Sequence, residues 1–216
     1  MNRIHKFKGI ILDLDGTVLD SMGAWHNVGS DFLKDHGITP PDDLEEVLKP
    51  MSFYESANYF IDNYNMTYSP EEIMAKVYDK VAYKYKNTVK LKTGVAKYLK
   101  IQHENGVEMC IATATDKELA ERALEREGVY QYFSFIITCD EVGKGKEDPL
   151  IYMKALQRLK MNIEEVCVFE DALHCANTAK KAGFYVVGVY DEYSHKDMKE
   201  LKNTCDKYIM SYDELI

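Results

Sequence analysis

The spacing of hydrophobic positions along this chain changes twice. Residues 7–12 form one short apolar run, the pattern of a strand buried on both faces. Over residues 21–88 the apolar positions recur at three- and four-residue intervals, which predicts helices over 22–36, 42–49 and 52–64, and a fourth running to 85. Gly37 and Pro40-Pro41 end the first of these and Pro50 the second, while Ser69-Pro70-Glu71-Glu72 opens the fourth with a capping residue and a first-turn proline. From Lys92 onward short apolar runs alternate with helical periodicity: helix 95–104, strand 107–113, helix 117–127, strand 135–138, helix 150–159, strand 166–169, helix 173–182, strand 185–189, and a short strand near 208–210. Such alternation predicts an α/β fold, a Rossmann-like parallel sheet with helices on both faces and the first strand central. The expected division is a core domain from 1–20 and 89–216, interrupted by an inserted α-helical module over 21–88. The charged stretch 191–202 reads as a solvated helix.

At 216 residues the chain can remove about 26,000 Å² from water on folding, enough for a core without covalent staples. A net charge of −9 argues against nucleic acid or an anionic membrane as partner, because both are bound mainly by basic surface. The five cysteines are odd in number, scattered and without a Cys-x-x-Cys pair, the usage of a reducing cytoplasm. No run approaches the roughly 18 apolar residues of a membrane span, and the first residues lack an apolar signal core. A cytoplasmic protein is expected, monomeric or weakly dimeric.

The densest chemistry lies in Asp13-Leu14-Asp15-Gly16-Thr17, directly after the first strand. Alternate side chains of a strand end face the same way, so Asp13 and Asp15 can converge, and two anions about 5 Å apart repel by roughly 3 kcal/mol at an effective dielectric near 20. The pair therefore calls for a cation or a shared proton. The ends of the other strands carry Thr113, Lys146 in the loop after Cys139, and Glu170-Asp171. Carboxylates from two strand ends suit a magnesium ion, which takes hard oxygen ligands, and a hydroxyl with an ammonium suits a phosphoryl group. Taken singly, Thr113 is a strand-end cap, Lys146 a loop lysine and Glu170-Asp171 a helix start with favourable dipole charge. Only their common placement favours catalysis.

These four segments resemble, in order, the motifs of the haloacid dehalogenase (HAD) superfamily: Asp13-Leu14-Asp15-Gly16-Thr17-Val18, then Thr113 closing Cys110-Ile111-Ala112-Thr113, then Lys146-Glu147-Asp148-Pro149, then Glu170-Asp171. The resemblance, to the subclass with a small helical cap, implies that Asp13 is the nucleophile and Asp15 the acid and base. It also implies that Thr113, Ala114 and Lys146 hold the phosphoryl oxygens, and that Asp13, Asp15 through its backbone carbonyl, Glu170 and Asp171 bind Mg2+. Glu147 departs from the proline of many relatives.

Asp15 points to phosphate esters rather than to the dehalogenases and phosphonate hydrolases of the superfamily. The implied reaction is Mg-dependent hydrolysis of a small phosphorylated metabolite through an aspartyl phosphate. A beta-phosphoglucomutase-like sugar phosphomutase is the alternative, and it disagrees at two places: Trp25 stands for the hinge histidine of those enzymes and Phe53 for an arginine. The insertion holds no arginine to grip a second phosphate. A second alternative is a non-hydrolytic, Asp-phosphorylated or pseudoenzyme binding protein. Trp25, Lys49 and Phe53 are the candidate substrate contacts in the insertion, although most of its aromatic residues are expected to pack its own core.

Overall fold

The computed structural model describes residues 7–48, 51 and 53–216. Its main sheet has six strands, all parallel: β1 (Gly9–Leu12), β4 (Glu108–Thr113), β5 (Phe135–Thr138), β6 (Val166–Glu170), β7 (Tyr185–Val189) and β8 (Lys207–Ile209). Their order is β5-β4-β1-β6-β7-β8, so the first strand is central as expected. The register puts Leu12 opposite both Ile111 and Phe169, which aligns the carboxyl ends of β4, β1 and β6 side by side.

Both faces of this sheet are covered, which is why its strands read as unbroken apolar runs. Ile11, Cys110, Ala112, Ile137 and Val168 share one cluster with Ile151, Tyr152 and Ala155 of helix Leu150–Leu159 and with Ala176 and Ala179 of helix Leu173–Lys181. Elsewhere the Phe169 ring lies 5.7 Å from Tyr98 of helix Val95–Glu104 and stacks at 5.7 Å on Tyr212. Each such side chain contributes about 1.5–3 kcal/mol on burial.

The chain divides into two compact units, one running to Met22 and resuming at Val89–Ile216, the other Gly23–Thr88. The second is helical and has its own apolar centre of Phe32, Leu33, Leu44, Ala57, Phe60, Ile73 and Val77. Its longest helix, Pro70–Asn87, opens with a complete capping box between Ser69 and Glu72. It is tied to helix Val28–Asp35 by Lys84–Asp31 at 2.6 Å and by Lys80–Asp35.

Several local readings need correction. The helix expected over 22–36 is two, Met22–His26 and Val28–Asp35. Asn27 lies between them with ψ near 3°, its side-chain amide donating back to the Gly23 carbonyl, a local bond that competes with helix propagation. The segment read as a solvated helix from 191 is α-helical only over Met198–Thr204, after a single 3-10 turn at His195–Asp197. Asp191 is instead buried, paired at 2.7 Å with Lys92, a partner 99 residues away that local periodicity cannot indicate. The two-residue ribbon of β2 (Leu19–Asp20) and β3 (Lys90–Leu91) was too short to predict.

Candidate active site

The loop after β1 is set by its own backbone. Asp13 N–H donates to the Phe169 carbonyl at 3.0 Å, and both Val18 and Leu19 N–H return to the Leu14 carbonyl. Gly16 sits at φ +75°, where a side chain is strained, and a Cβ there would lie 2.4 Å from Asp171 Oδ2. Glycine thus allows the β1 loop and the end of β6 to approach until their carboxylates share one place.

Asp13, Glu170 and Asp171 are all buried, and one carboxylate oxygen from each lies within 4.8 Å of the others. Lys146 reaches the same point from the loop between β5 and helix Leu150–Leu159. Thr138 caps the short helix Cys139–Val142, Gly143 ends it at φ +71°, and Asp148 Oδ1 accepts from Leu150 N–H to start the next helix. Between these fixed points the Lys146 ammonium is buried, donating to Asp13 Oδ1 and, at 2.7 Å, to Glu170 Oε1. Lys144, the other lysine of the loop, is exposed.

Asp15 faces a different set of partners: its two oxygens accept from Ser21 Oγ and Thr115 Oγ1, each at 2.6 Å. Thr113 is fully buried at the end of β4, its hydroxyl accepting from Thr115 N–H at 2.9 Å, while Ala114 between them is exposed. Asp116 follows as the N-cap of helix Lys117–Arg126. A strand end, an exposed backbone turn and a capped helix therefore come within four residues, which explains why this turn is fixed in shape.

The seven residues proposed from the sequence for the core of the site, Asp13, Asp15, Thr113, Ala114, Lys146, Glu170 and Asp171, lie at the carboxyl ends of β1, β4 and β6 and in the loop after β5. Those proposed from the insertion belong to the second unit. Trp25 donates its indole N–H to Tyr85 Oη at 2.8 Å, edge-on to that ring, and Tyr85 is fully buried. Phe53 is 41% exposed, and Lys49 lies outside the described residues. Sequence reasoning missed Ser21, Thr115 and Tyr152, whose hydroxyls bond carboxylates of the site. Serine, threonine and tyrosine are too common in loops and helices to signal this alone.

Three carboxylates to one ammonium leave the cluster with surplus negative charge, and its proton affinities reflect it. Burial, then the Glu170 carboxylate, raises Asp13 well above the usual carboxylate range, with Lys146 pulling the other way. Burial, then Glu170 and Asp191, pushes Asp171 up to about 7. Burial works to lower the pKa of Lys146, but Asp13 and Glu170 outweigh it, and the ammonium stays charged. Anionic oxygen donors that are crowded, buried and under-neutralised fit a hard divalent cation.

The same shifts predict how stability responds to pH. Between the unfolded value of 3.8 and about 7 the native protein holds a proton on Asp171 that the unfolded chain lacks, so stability falls as pH rises through that window. With a chelator present the protein is expected to be less stable at pH 7 than at pH 5.5. A divalent cation held by these carboxylates would compete with their protons, so added Mg2+ is expected to raise Tm more at pH 7.5 than at pH 5.5. Thermal unfolding in EDTA that grew more favourable to the fold from pH 5.5 to 7.5 would contradict this reading.

Residues 10–189 match the haloacid dehalogenase-like hydrolase family, and the chain belongs to it. It is similar to a phosphorylated carbohydrates phosphatase of Thermotoga maritima, 26% identical over 176 residues and 82% of each chain. It is also similar to the validoxylamine A 7'-phosphate phosphatase of Streptomyces hygroscopicus subsp. limoneus, 27% identical over 196 residues, 90% of this chain and 91% of that one. With relatives of this kind along most of its length, it is a hydrolase of the phosphatase type. In fold it matches CbbY of Rhodobacter sphaeroides, solved in complex with xylulose-(1,5)bisphosphate, with a TM-score of 0.78 at 20% identity over 97% of this chain and 96% of the other. No helix among the described residues is long and apolar enough to cross a membrane.

Proposed function

We propose that the protein is a Mg-dependent phosphatase that hydrolyses a small phosphorylated metabolite through an aspartyl phosphate on Asp13. The observation that carries this reading is the meeting of Asp13, Glu170, Asp171 and Lys146 at one buried point beside the strand end bearing Thr113. Asp13, Glu170 and Asp171, with the backbone carbonyl of Asp15, would hold the cation, whose charge lets an anionic nucleophile meet an anionic phosphate.

Asp13 needs no activating base, because a carboxylate is already a nucleophile once its charge is compensated. One of its oxygens attacks phosphorus while the bond from phosphorus to the ester oxygen breaks. Asp15 gives its proton to that leaving oxygen, then takes one from the water that attacks the aspartyl phosphate and frees Asp13. Ser21 and Thr115 aim the Asp15 carboxyl. Lys146 has a third N–H beyond those given to Asp13 and Glu170, and this one, with Thr113 and the Ala114 backbone, serves the phosphoryl oxygens. Trp25, Lys49 and Phe53 of the inserted unit are the candidate substrate contacts, and the lack of arginine in that unit favours hydrolysis over a mutase cycle through a bisphosphate.

The test is phosphate release across a panel of phosphate esters, with and without Mg2+. The names of the two relatives put phosphorylated carbohydrates and validoxylamine A 7'-phosphate first in that panel. Release that requires the metal and favours a few small esters is the expected result. Release that is unaffected by EDTA, or absent from every ester, removes the reading.

A further inference from the structure

Tyr152 belongs to the helix that follows the Lys146 loop, and its phenol is fully buried beneath the candidate site. Its hydroxyl donates to Glu170 Oε1 at 2.7 Å, the same oxygen that receives the Lys146 ammonium at 2.7 Å. The ring itself lies 6.0 Å from Lys146 Nζ and meets Phe184 edge-on at 6.3 Å. One buried side chain thus bonds the carboxylate of the proposed metal cluster and lies close to its lysine.

A carboxylate with both donors on one oxygen is held in rotation about its own axis, and its other oxygen is turned in a fixed direction. Lys146 alone cannot do this, because its ammonium also bonds Asp13 and is a compact charge on a flexible stem. The phenol is the rigid donor of the pair. We propose that Tyr152 is a positioning residue that fixes Glu170 for the divalent cation. The proposal rests on the metal-dependent reading given above.

Tyr152→Phe keeps the ring and its packing and removes one donor. In calorimetry on the substrate-free protein, it is expected to weaken Mg2+ or Mn2+ binding about tenfold, the scale on which outer donors tune a metal site. The metal concentration for half-maximal activity should rise in parallel, with kcat at saturating metal kept within about threefold. Tyr98→Phe is the control, since the Tyr98 hydroxyl is equally buried but has no hydrogen-bond partner among the described residues; it should leave metal affinity unchanged. In a Glu170→Gln background, Tyr152→Phe should add less than a twofold effect, because it acts through that carboxylate. Metal affinity of Tyr152→Phe within twofold of wild type, or an equal loss in Tyr98→Phe, overturns the proposal. A wild-type protein that binds no divalent ion overturns the parent reading, and this one with it.

Discussion

Asp13→Asn is expected to lower metal-dependent phosphate release at least about a thousandfold, a barrier increase of about 4 kcal/mol. The amide oxygen carries no charge with which to attack phosphorus, and the substitution also removes one of three carboxylates that share the site. Stability should change little. Burial and Glu170 hold metal-free Asp13 toward its neutral form, and asparagine resembles that acid in shape and still offers an oxygen to Lys146, so in EDTA the variant should unfold at about the wild-type temperature. Paired measurements of phosphate release and thermal unfolding separate lost chemistry from lost fold. Release above a tenth of the wild-type rate would place the nucleophile elsewhere.

Lys146→Met should damage both properties. Wild-type Lys146 lies between Asp13 and Glu170 as the ammonium bonded to both, and methionine fills similar space without charge. Removing one partner from a buried ion pair costs about 3–5 kcal/mol, because the other partner stays behind unpaired. Metal-free protein should therefore lose a large part of its stability, and Mg2+ should restore more of it than in wild type, since the cation then supplies the missing charge. With saturating metal, phosphate release should fall about a hundredfold through loss of a donor to the phosphoryl oxygens. The check is Tm in EDTA and in Mg2+, beside the initial rate. A variant as stable and as active as wild type would show that the ammonium is dispensable.

How much of this could be read from the chain depends on whether the determining contact is local. The α/β order, the central first strand and the separate helical insertion follow from apolar spacing, because strands buried on two faces and helices buried on one leave different local signatures. The chemical types at the strand ends, Asp13, Thr113, Lys146, Glu170 and Asp171, are equally plain, and parallel topology directs strand ends toward one side. Asp15 is plain as an acid, but nothing near it in sequence announces that Thr115, 100 residues on, would take one of its oxygens.

By itself, then, the sequence determined the fold class, the strand ends where acidic and basic side chains gather and the sign of the charge there. Tertiary structure alone decided that the Lys146 ammonium bonds Asp13 and Glu170 together, that Asp191 is paired with Lys92 instead of solvated, and that a core tyrosine on the next helix bonds Glu170. Each of these is a contact between side chains far apart in the chain or on opposite sides of a turn. Register and loop geometry set such distances, and hydrophobic periodicity records only which face of an element is turned inward.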